Sequence, residues 1–278
     1  MIFELLVETL INTDKQAVRD FWERAACGEE LYLYDAGQQA YHEQARRRYE
    51  LEPYIEQFAA FQSAQGQRVL EVGVGLGADH QRFAEAGAIL SGIDLTERAV
   101  VHARRRLELF GLASELKQGD AEHLCFDDAS FDLVYSWGVI HHSPNTPRAV
   151  GEIYRVLKPG GTAKLMIYHT WSLVGYMLWV RYALLGLRPW MSLADIYARY
   201  LESPGTKAYS VSRARRLFAA FGTVQIRTLL THADLLESAA GQRHRGVLLS
   251  LARRIWPRAL LRKFGSGHGL TMLICATK

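Results

Sequence analysis

The stretch Val69-Leu70-Glu71-Val72-Gly73-Val74-Gly75-Leu76-Gly77 limits what this chain can fold into more than any other. Val69, Leu70, Val72 and Val74 suit a parallel strand covered on both faces. Three alternating glycines then allow a turn whose backbone takes positive φ and comes close to a ligand. The pattern is not the Gly-x-Gly-x-x-Gly of dinucleotide enzymes, so the nucleoside it serves must be read from the rest of the chain. Glu71 stands inside the strand, where a carboxylate is costly to bury unless amides or a cationic ligand satisfy it.

From Gln67 onward strands and helices alternate at short spacing. Val69 to Val72 reads as a strand, Ala78 to Ala86 as a helix closed by Gly87, and Ile89 to Ile93 as a second strand ending at Asp94. Glu97 to Phe110 is a helix, Ser114 to Lys117 a short strand, Phe131 to Ser136 the fourth strand and Pro147 to Leu157 a helix. Lys158-Pro159-Gly160-Gly161 reads as a turn and Thr162 to Tyr168 as the fifth strand; Ser210 to Phe221, Thr223 to Leu229 and Leu270 to Ala276 supply a helix and two further strands. This pattern predicts an α/β fold, a Rossmann-like doubly wound sheet with helices on both faces. Residues 1–66 read as a helical N-terminal cap segment with breaks near Gly28, Gly37 and Pro53, and residues 67–278 as the main domain. Tyr41, Ala45 and Tyr49 share a helical face, which makes Tyr41 and Tyr49 candidates for an aromatic substrate wall; packing on the domain is the competing explanation.

At 278 residues with 22% charged residues, the chain is an ordinary folded protein of one large domain with elaborations. Cys27, Cys125 and Cys275 are far apart and odd in number, which fits a reducing compartment and neither a disulfide framework nor a zinc site. The apolar start lacks a basic leader and resembles an amphipathic helix, so the expected location is cytoplasmic. The net charge of +4 hides an asymmetry: residues 206–278 hold thirteen Lys or Arg against Asp234 and Glu237, a balance of +11 that leaves −7 for residues 1–205. Such a tail attracts anionic partners or is a solvated basic face.

Ligands of open α/β sheets bind outside the carboxyl ends of the strands, at the switch point. Those ends are marked by Gly73, Gly75 and Gly77, by Asp94-Leu95, by Asp120-Ala121-Glu122 and by Ser136-Trp137-Gly138. Asp94 is suited to accept hydrogen bonds from the two hydroxyls of a ribose, and Asp120 to accept one from the exocyclic amine of adenine. His141 and His142 follow the fourth strand as candidate general bases. Tyr168 and His169 at the fifth strand end, with His232 further on, are candidates to touch the substrate or move a proton. Two adjacent histidines without a third ligand at suitable spacing do not predict a metal.

Five pieces in order, Glu71-Val-Gly-Val-Gly-Leu-Gly77, Gly92-Ile-Asp94-Leu95, Gly119-Asp120-Ala-Glu122, Phe131-Asp-Leu-Val-Tyr-Ser136 with His141-His142, and Arg155-Val-Leu-Lys-Pro-Gly-Gly161, resemble a class I S-adenosylmethionine-dependent methyltransferase, closest in flavour to the quinone-biosynthesis-like small-molecule group. The resemblance covers about residues 67–168. It implies a seven-stranded sheet with the last strand antiparallel and S-adenosylmethionine as cofactor. It assigns the methionine portion to Glu71 and the glycine loop, the ribose hydroxyls to Asp94, and adenine to Asp120-Ala121. No Asn-Pro-Pro-Tyr signature of base methylation follows the fourth strand.

Two inserts depart from the minimal pattern, 169–203 and 231–269, and both leave the carboxyl edge, so both should cap the pocket. The first is rich in Trp, Tyr, Leu and Met, and too short in apolar run to span a bilayer. In the second, arginines alternate with aliphatics near helical spacing, which predicts peripheral membrane-surface contact through 243–263 or an amphipathic helix packed on its own domain. The expected acceptor is a small hydrophobic molecule, quinone-like, polyketide or lipid-derived, methylated on oxygen or carbon. Methylation of RNA or protein has only the basic tail in its favour, and nucleic acid is not an expected partner. A nicotinamide-dependent oxidoreductase fits the Glu71 loop and the Lys158-to-Gly161 turn less well than a methyltransferase does. A non-catalytic subunit that binds S-adenosylmethionine and stabilises or regulates a partner would carry the same cofactor residues.

Overall fold

The computed structural model describes residues 14–237 and 253–278. Seven strands form a single sheet: β1 (Arg68–Val72), β2 (Ile89–Asp94), β3 (Glu115–Gln118), β4 (Phe131–Trp137), β5 (Leu157–Tyr168), β6 (Thr223–Leu229) and β7 (Thr271–Thr277), in the order β3-β2-β1-β4-β5-β7-β6. β7 runs antiparallel to both β5 and β6, and the pairs among β1 to β5 are parallel. The order reverses between β1 and β4, which places the switch point where the glycine turn leaves β1.

Side-chain alternation along the central strands feeds two cores. Leu70, Val72, Val134 and Leu165 pack with Ala149, Val150, Ile153 and Val156 of α7 (Thr146–Val156) and with Ala214 of α10 (Val211–Leu217). Val69, Leu133, Tyr135 and Met166 face the other way, onto Phe83 of α5 (Ala78–Glu85), Ile55 and Ala59 of α4 (Tyr54–Ala59), and Phe61. The Lys158-to-Gly161 stretch is a bulge inside β5. Phe131 pairs Leu157 and Leu133 already pairs Thr162, so the intervening residues swing out. The chain end closes over it, Gly160 N–H donating to the Lys278 carbonyl and Lys278 N–H to the Gly161 carbonyl, each at 3.0 Å. The turn therefore lies at the amino edge of the sheet, away from the site.

The N-terminal segment contains α1 (14–24), α2 (Glu29–Tyr32), α3 (Gln38–Leu51) and α4. Glu23 of α1 accepts from the backbone N–H of Glu97 and Arg98, at 3.1 and 3.0 Å, at the start of α6 (Glu97–Leu109). Anionic side chains suit that end of a helix. α3 is held more firmly. Arg48 donates to the buried Asp79 carboxylate through Nε and Nη2, at 3.0 and 2.7 Å, and Tyr49 adds its hydroxyl at 3.0 Å. From β4 the Tyr135 hydroxyl donates to the same carboxylate at 2.8 Å. Burial alone would raise the Asp79 pKa, but Arg48 and the two phenols hold it below the ordinary value.

The first insert folds as α8 (Leu173–Trp179), a π turn (Val180–Leu184), α9 (Leu193–Ile196) and a second π turn (Tyr197–Leu201) around a small core of Val174, Leu178, Ala183, Met191, Ile196 and Tyr197. Of the second insert, 238–252 lie outside the described residues, and with them about half of the stretch 243–263 to which the charge pattern pointed; Arg258–Phe264 is a short helix.

Asp79→Ala strands Arg48 beside two phenols, and breaking such a buried pair removes about 3–5 kcal/mol of stability. Tyr135→Phe, which deletes one donor of several, removes about 1 kcal/mol. Denaturant titration reads both as lower midpoints at unchanged slope; a wild-type midpoint for Asp79→Ala contradicts the role given to this carboxylate.

Candidate active site

A cavity of about 440 Å³ opens along the carboxyl edge of β1, β2, β4 and β5, walled above by α1 and by both inserts. At one end stands the glycine turn. Gly73, Gly75 and Gly77 all have positive φ, at 85°, 50° and 75°. A Cβ on Gly73 would come within 2.1 Å of a Val139 methyl, whereas at Gly75 it would meet nothing within 4 Å. Gly73 thus permits the close approach of the β4 loop, and Gly75 turns bare backbone toward the cavity. Asp94 is fixed beside it: Oδ2 accepts from Gly75 N–H at 3.1 Å, and Oδ1 from the Thr96 N–H and hydroxyl at 3.0 and 2.9 Å. Burial raises the Asp94 pKa, partly countered by these donors. A rigid carboxylate with lone pairs to spare, next to open backbone, fits a ribose diol.

Glu71 and His80 are both buried and meet at 2.8 Å through Nδ1. The Ser114 hydroxyl donates to the Leu90 carbonyl at 2.8 Å, so its oxygen is left to accept from His80 Nε2 at the same distance. The imidazole is then the Nε2–H tautomer, and Nδ1 accepts a hydrogen bond from the Glu71 carboxyl in its acid form. Burial works the same way on each partner, lifting Glu71 well above its ordinary value and pushing His80 down to about 3. The site thereby keeps a neutral carboxyl beneath the glycine turn, one that a cationic ligand group would ionise.

Asp120 and Glu122 line the cavity at the end of β3, and sequence reasoning missed what they meet there. Lys15 of α1 reaches Asp120 Oδ2 at 2.6 Å and Glu122 Oε2 at 2.8 Å. Glu122 also accepts from Asn145 N–H at 2.8 Å and from the Ser143 hydroxyl, tying the loop after β4 to that after β3. Asp120 retains lone pairs toward the cavity; Glu122 is largely consumed by these bonds.

The far end is built from groups distant in sequence. Glu202, which ends the first insert, accepts from the Tyr168 hydroxyl at 2.8 Å and lies 3.3 Å from His142 Nε2. His142 Nδ1 meets the Ser203 hydroxyl at 2.8 Å and Thr206 Oγ1 at 3.1 Å. Thr206 donates to the Ser203 carbonyl, so its oxygen faces Nδ1 as an acceptor, while Nε2 is the ring nitrogen that faces the Glu202 carboxylate. Trp22 of α1 closes over His142 edge-on, with ring centroids 5.4 Å apart.

Leu95, Ala121 and Trp137 line the cavity, as do His142 and Tyr168. Ser136 does not; its hydroxyl donates to the Val72 carbonyl at 3.0 Å and secures β4 to β1. His141 is wholly buried behind His142, with both ring nitrogens unpartnered and its pKa far below the ordinary value through burial. His169 is buried and its backbone N–H donates to Leu270. Tyr41 turns away from the cavity onto α6, its hydroxyl 2.8 Å from His102 Nδ1 and its ring over the buried Arg106. Tyr49 is taken up by Asp79. Sequence spacing offered the histidine pair no third donor, and folding supplies one: donor atoms of His141, His142 and Glu202 lie within 4.8 Å of one another. Tyr168 already engages that carboxylate.

Residues 70–165 match the methyltransferase-domain family. Among curated relatives, a phthiotriol/phenolphthiotriol dimycocerosates methyltransferase of Mycobacterium leprae is 42% identical over 98 residues, 34% of this chain and 36% of that one. A phosphatidylethanolamine N-methyltransferase of Cereibacter sphaeroides is 39% identical over 105 residues, 37% of this chain and 51% of that one. A sterol 24-C-methyltransferase of Neurospora crassa is 38% identical over 98 residues, 34% and 26% of the two chains. The match therefore spans between about a quarter and half of the relatives' lengths. Among solved structures, the Haemonchus contortus phosphoethanolamine N-methyltransferase 2, in complex with phosphomonomethylethanolamine and S-adenosylhomocysteine, superposes with a TM-score of 0.61 at 19% identity, covering 94% of this chain and 60% of that one. A [4+2]-cyclase, SpnF, does so with 0.52 at 18%, covering 85% and 81%. At such identities these superpositions establish the fold and leave the reaction open.

The proton arrangement beneath the glycine turn is testable without ligand. Glu71→Gln keeps a donor to His80 Nδ1 and should leave the unfolding midpoint close to wild type, whereas Glu71→Ala leaves the imidazole unsatisfied and should remove about 1–3 kcal/mol. Equal losses in the two variants would mean that Glu71 is held as the charged form.

Proposed function

Because residues 70–165 belong to the methyltransferase-domain family and lie within a class I S-adenosylmethionine-dependent fold, we propose that the chain methylates an oxygen or carbon atom of a small hydrophobic, lipid-derived acceptor. The observation that carries this reading is the placing of two different ends in one cavity, a diol-type carboxylate beside bare glycine backbone and a His142–Glu202–Tyr168 cluster opposite. S-adenosylmethionine bound there supplies an electrophilic methyl group. Asp94 would hold the ribose hydroxyls, Asp120-Ala121 the adenine, and Glu71 with Gly73 to Gly77 the methionine portion. α1 and the first insert exclude water, and Trp22, Trp137, Met166 and Tyr168 make the acceptor side apolar and aromatic.

In this reading His142 and Glu202 take the acceptor proton as a pair, with Ser203 and Tyr168 fixing them. Positioning and proton removal are the two things the protein has to supply for such a transfer. A lipid-derived acceptor agrees with the names of the relatives, which methylate phthiotriol dimycocerosates, phosphatidylethanolamine and sterols. An amine acceptor is the second reading, favoured by Glu52 and Glu202 standing among Trp22, Tyr32 and Tyr168 in the cavity wall.

The test is transfer of labelled methyl from S-adenosylmethionine into lipid extracts, followed by identification of the product. With the acceptor in hand, His142→Ala should lower kcat by about 10²–10⁴-fold, with S-adenosylhomocysteine affinity within about twofold of wild type. Unchanged kcat in His142→Ala and Glu202→Gln alike would remove both residues from the chemistry.

A further inference from the structure

Among the described residues, the largest group of solvent-exposed apolar side chains gathers at one place. Leu184, Leu185, Leu187 and Trp190 all belong to the tip between α8 and α9, and Val180 is exposed at its base. Leu187 is 82% exposed, Trp190 78% and Leu185 60%. Exposed apolar residues scattered singly need no explanation, but a run of them marks an interaction site.

The tip is built rather than loose. The Trp179 indole donates to the Met191 carbonyl at 2.8 Å and closes the base. Above it, Leu187 N–H donates to the Leu184 carbonyl at 3.2 Å and Arg188 N–H to the Ala183 carbonyl at 2.7 Å. This double pattern ends a helix with its left-handed position at Leu187, whose φ is 54°. Glycine takes that conformation freely and leucine does not. A leucine held in unfavourable backbone with no burial to offset the strain points to a use outside the chain.

Charge identifies what the tip meets. Residues 171–190 contain Arg181 and Arg188 and no carboxylate. A second strip has the same composition: Ile255, 74% exposed, and Leu260, 58%, stand among Arg253, Arg254, Arg258, Arg262 and Lys263, with no Asp or Glu from 253 to 278. Asp234 ties this strip to the first turn of α8, accepting from Val174 N–H at 3.2 Å through its side chain and from the Trp256 indole at 2.9 Å through its carbonyl. Arg262 pairs with Glu237, and Arg258 donates to the Leu235, Leu236 and Arg253 carbonyls, so part of this charge is used within the chain. A second copy of the chain is a poor occupant, because an isologous contact would bring the same cations face to face. An anionic bilayer offers phosphates to the arginines and hydrocarbon to the apolar tip. We infer that the 180–190 tip docks on an anionic lipid bilayer, with Leu187 and Trp190 entering the boundary between headgroups and acyl chains and the 253–263 strip as a further cationic and apolar contact. Among the described residues no helix is long and apolar enough to cross a membrane. Val174, Thr231, His232 and Leu270 carry the same elements into the cavity wall, so the acceptor end of the cavity lies next to the docking face.

The test is co-sedimentation of the full chain with phosphatidylcholine vesicles, with and without phosphatidylglycerol, at low and high salt. The wild type should bind the anionic vesicles and lose binding as salt rises. Leu187→Gly relaxes the backbone while removing the apolar side chain, so it should weaken partitioning by roughly five- to tenfold with no fall in melting temperature; Trp190→Ser should do likewise. No binding, binding indifferent to salt, or equal binding of wild type and Leu187→Gly overturns the inference. So does a dimer in the absence of vesicles that Leu187→Gly converts to monomer, which would make this face a contact between copies. Vesicle binding is read without cofactor or turnover, so its failure leaves the methyl-transfer reading standing, and failure of that reading leaves this one.

Discussion

One buried carboxylate holds the architecture of the site together. Asp79 is taken out of water at the start of α5, directly after the glycine turn, and is kept charged by donors from α3 and from β4. An ionised carboxylate in that position is costly unless it is fully paired, so the pairing fixes geometry as much as it contributes stability. Through it the N-terminal cap, the turn that follows β1 and the middle of the sheet hold one relative position. Without it α3 would lose its tie to the turn and to β4, and the cap would be held by α1 and by the contacts of Tyr41 with α6.

The cavity itself divides by chemistry. Its floor is rigid backbone and carboxylates whose oxygens are partly spoken for, with Glu71 raised in pKa by burial and bonded to His80. Its roof is contributed by α1 and the first insert, and its polar ties to the floor include Lys15 with Asp120 and Glu122, Glu202 with His142 and Tyr168, and Ser203 with His142. Keeping the floor while varying the roof is how one fold takes different acceptors, and the sequence match over 70–165 falls on the floor.

Much of the floor was legible because its signals are local. A strand followed by alternating glycines, a carboxylate closing β2 and another closing β3 are each read within a few residues, and the seven-stranded order with β7 antiparallel is as the motif series implied. The roof was not legible in that way. Glu202 meets His142 from sixty positions away in sequence and Lys15 meets Asp120 from more than a hundred, and no periodicity encodes such pairings. Tyr41 and Tyr49 do share a face, yet its partners are Arg106 with His102 and Asp79, not the cavity. The histidine pair looks equivalent in sequence; burial separates them, leaving His142 in the cavity wall and His141 behind it. For the proposed docking surface, composition draws attention to 243–263, whereas exposure and backbone strain at Leu187 bring in the tip of the first insert.

Whether the glycine turn and Asp94 form a site for S-adenosylmethionine rather than for a dinucleotide is decided by titration calorimetry of the full chain with S-adenosylhomocysteine and, separately, with NADH. The geometry of the site requires binding of one S-adenosylhomocysteine per chain, weakened at least about tenfold by Asp94→Ala through loss of a charged acceptor, and no binding of NADH. Binding of NADH, or S-adenosylhomocysteine binding indifferent to Asp94→Ala, would show that this end of the cavity serves a different ligand.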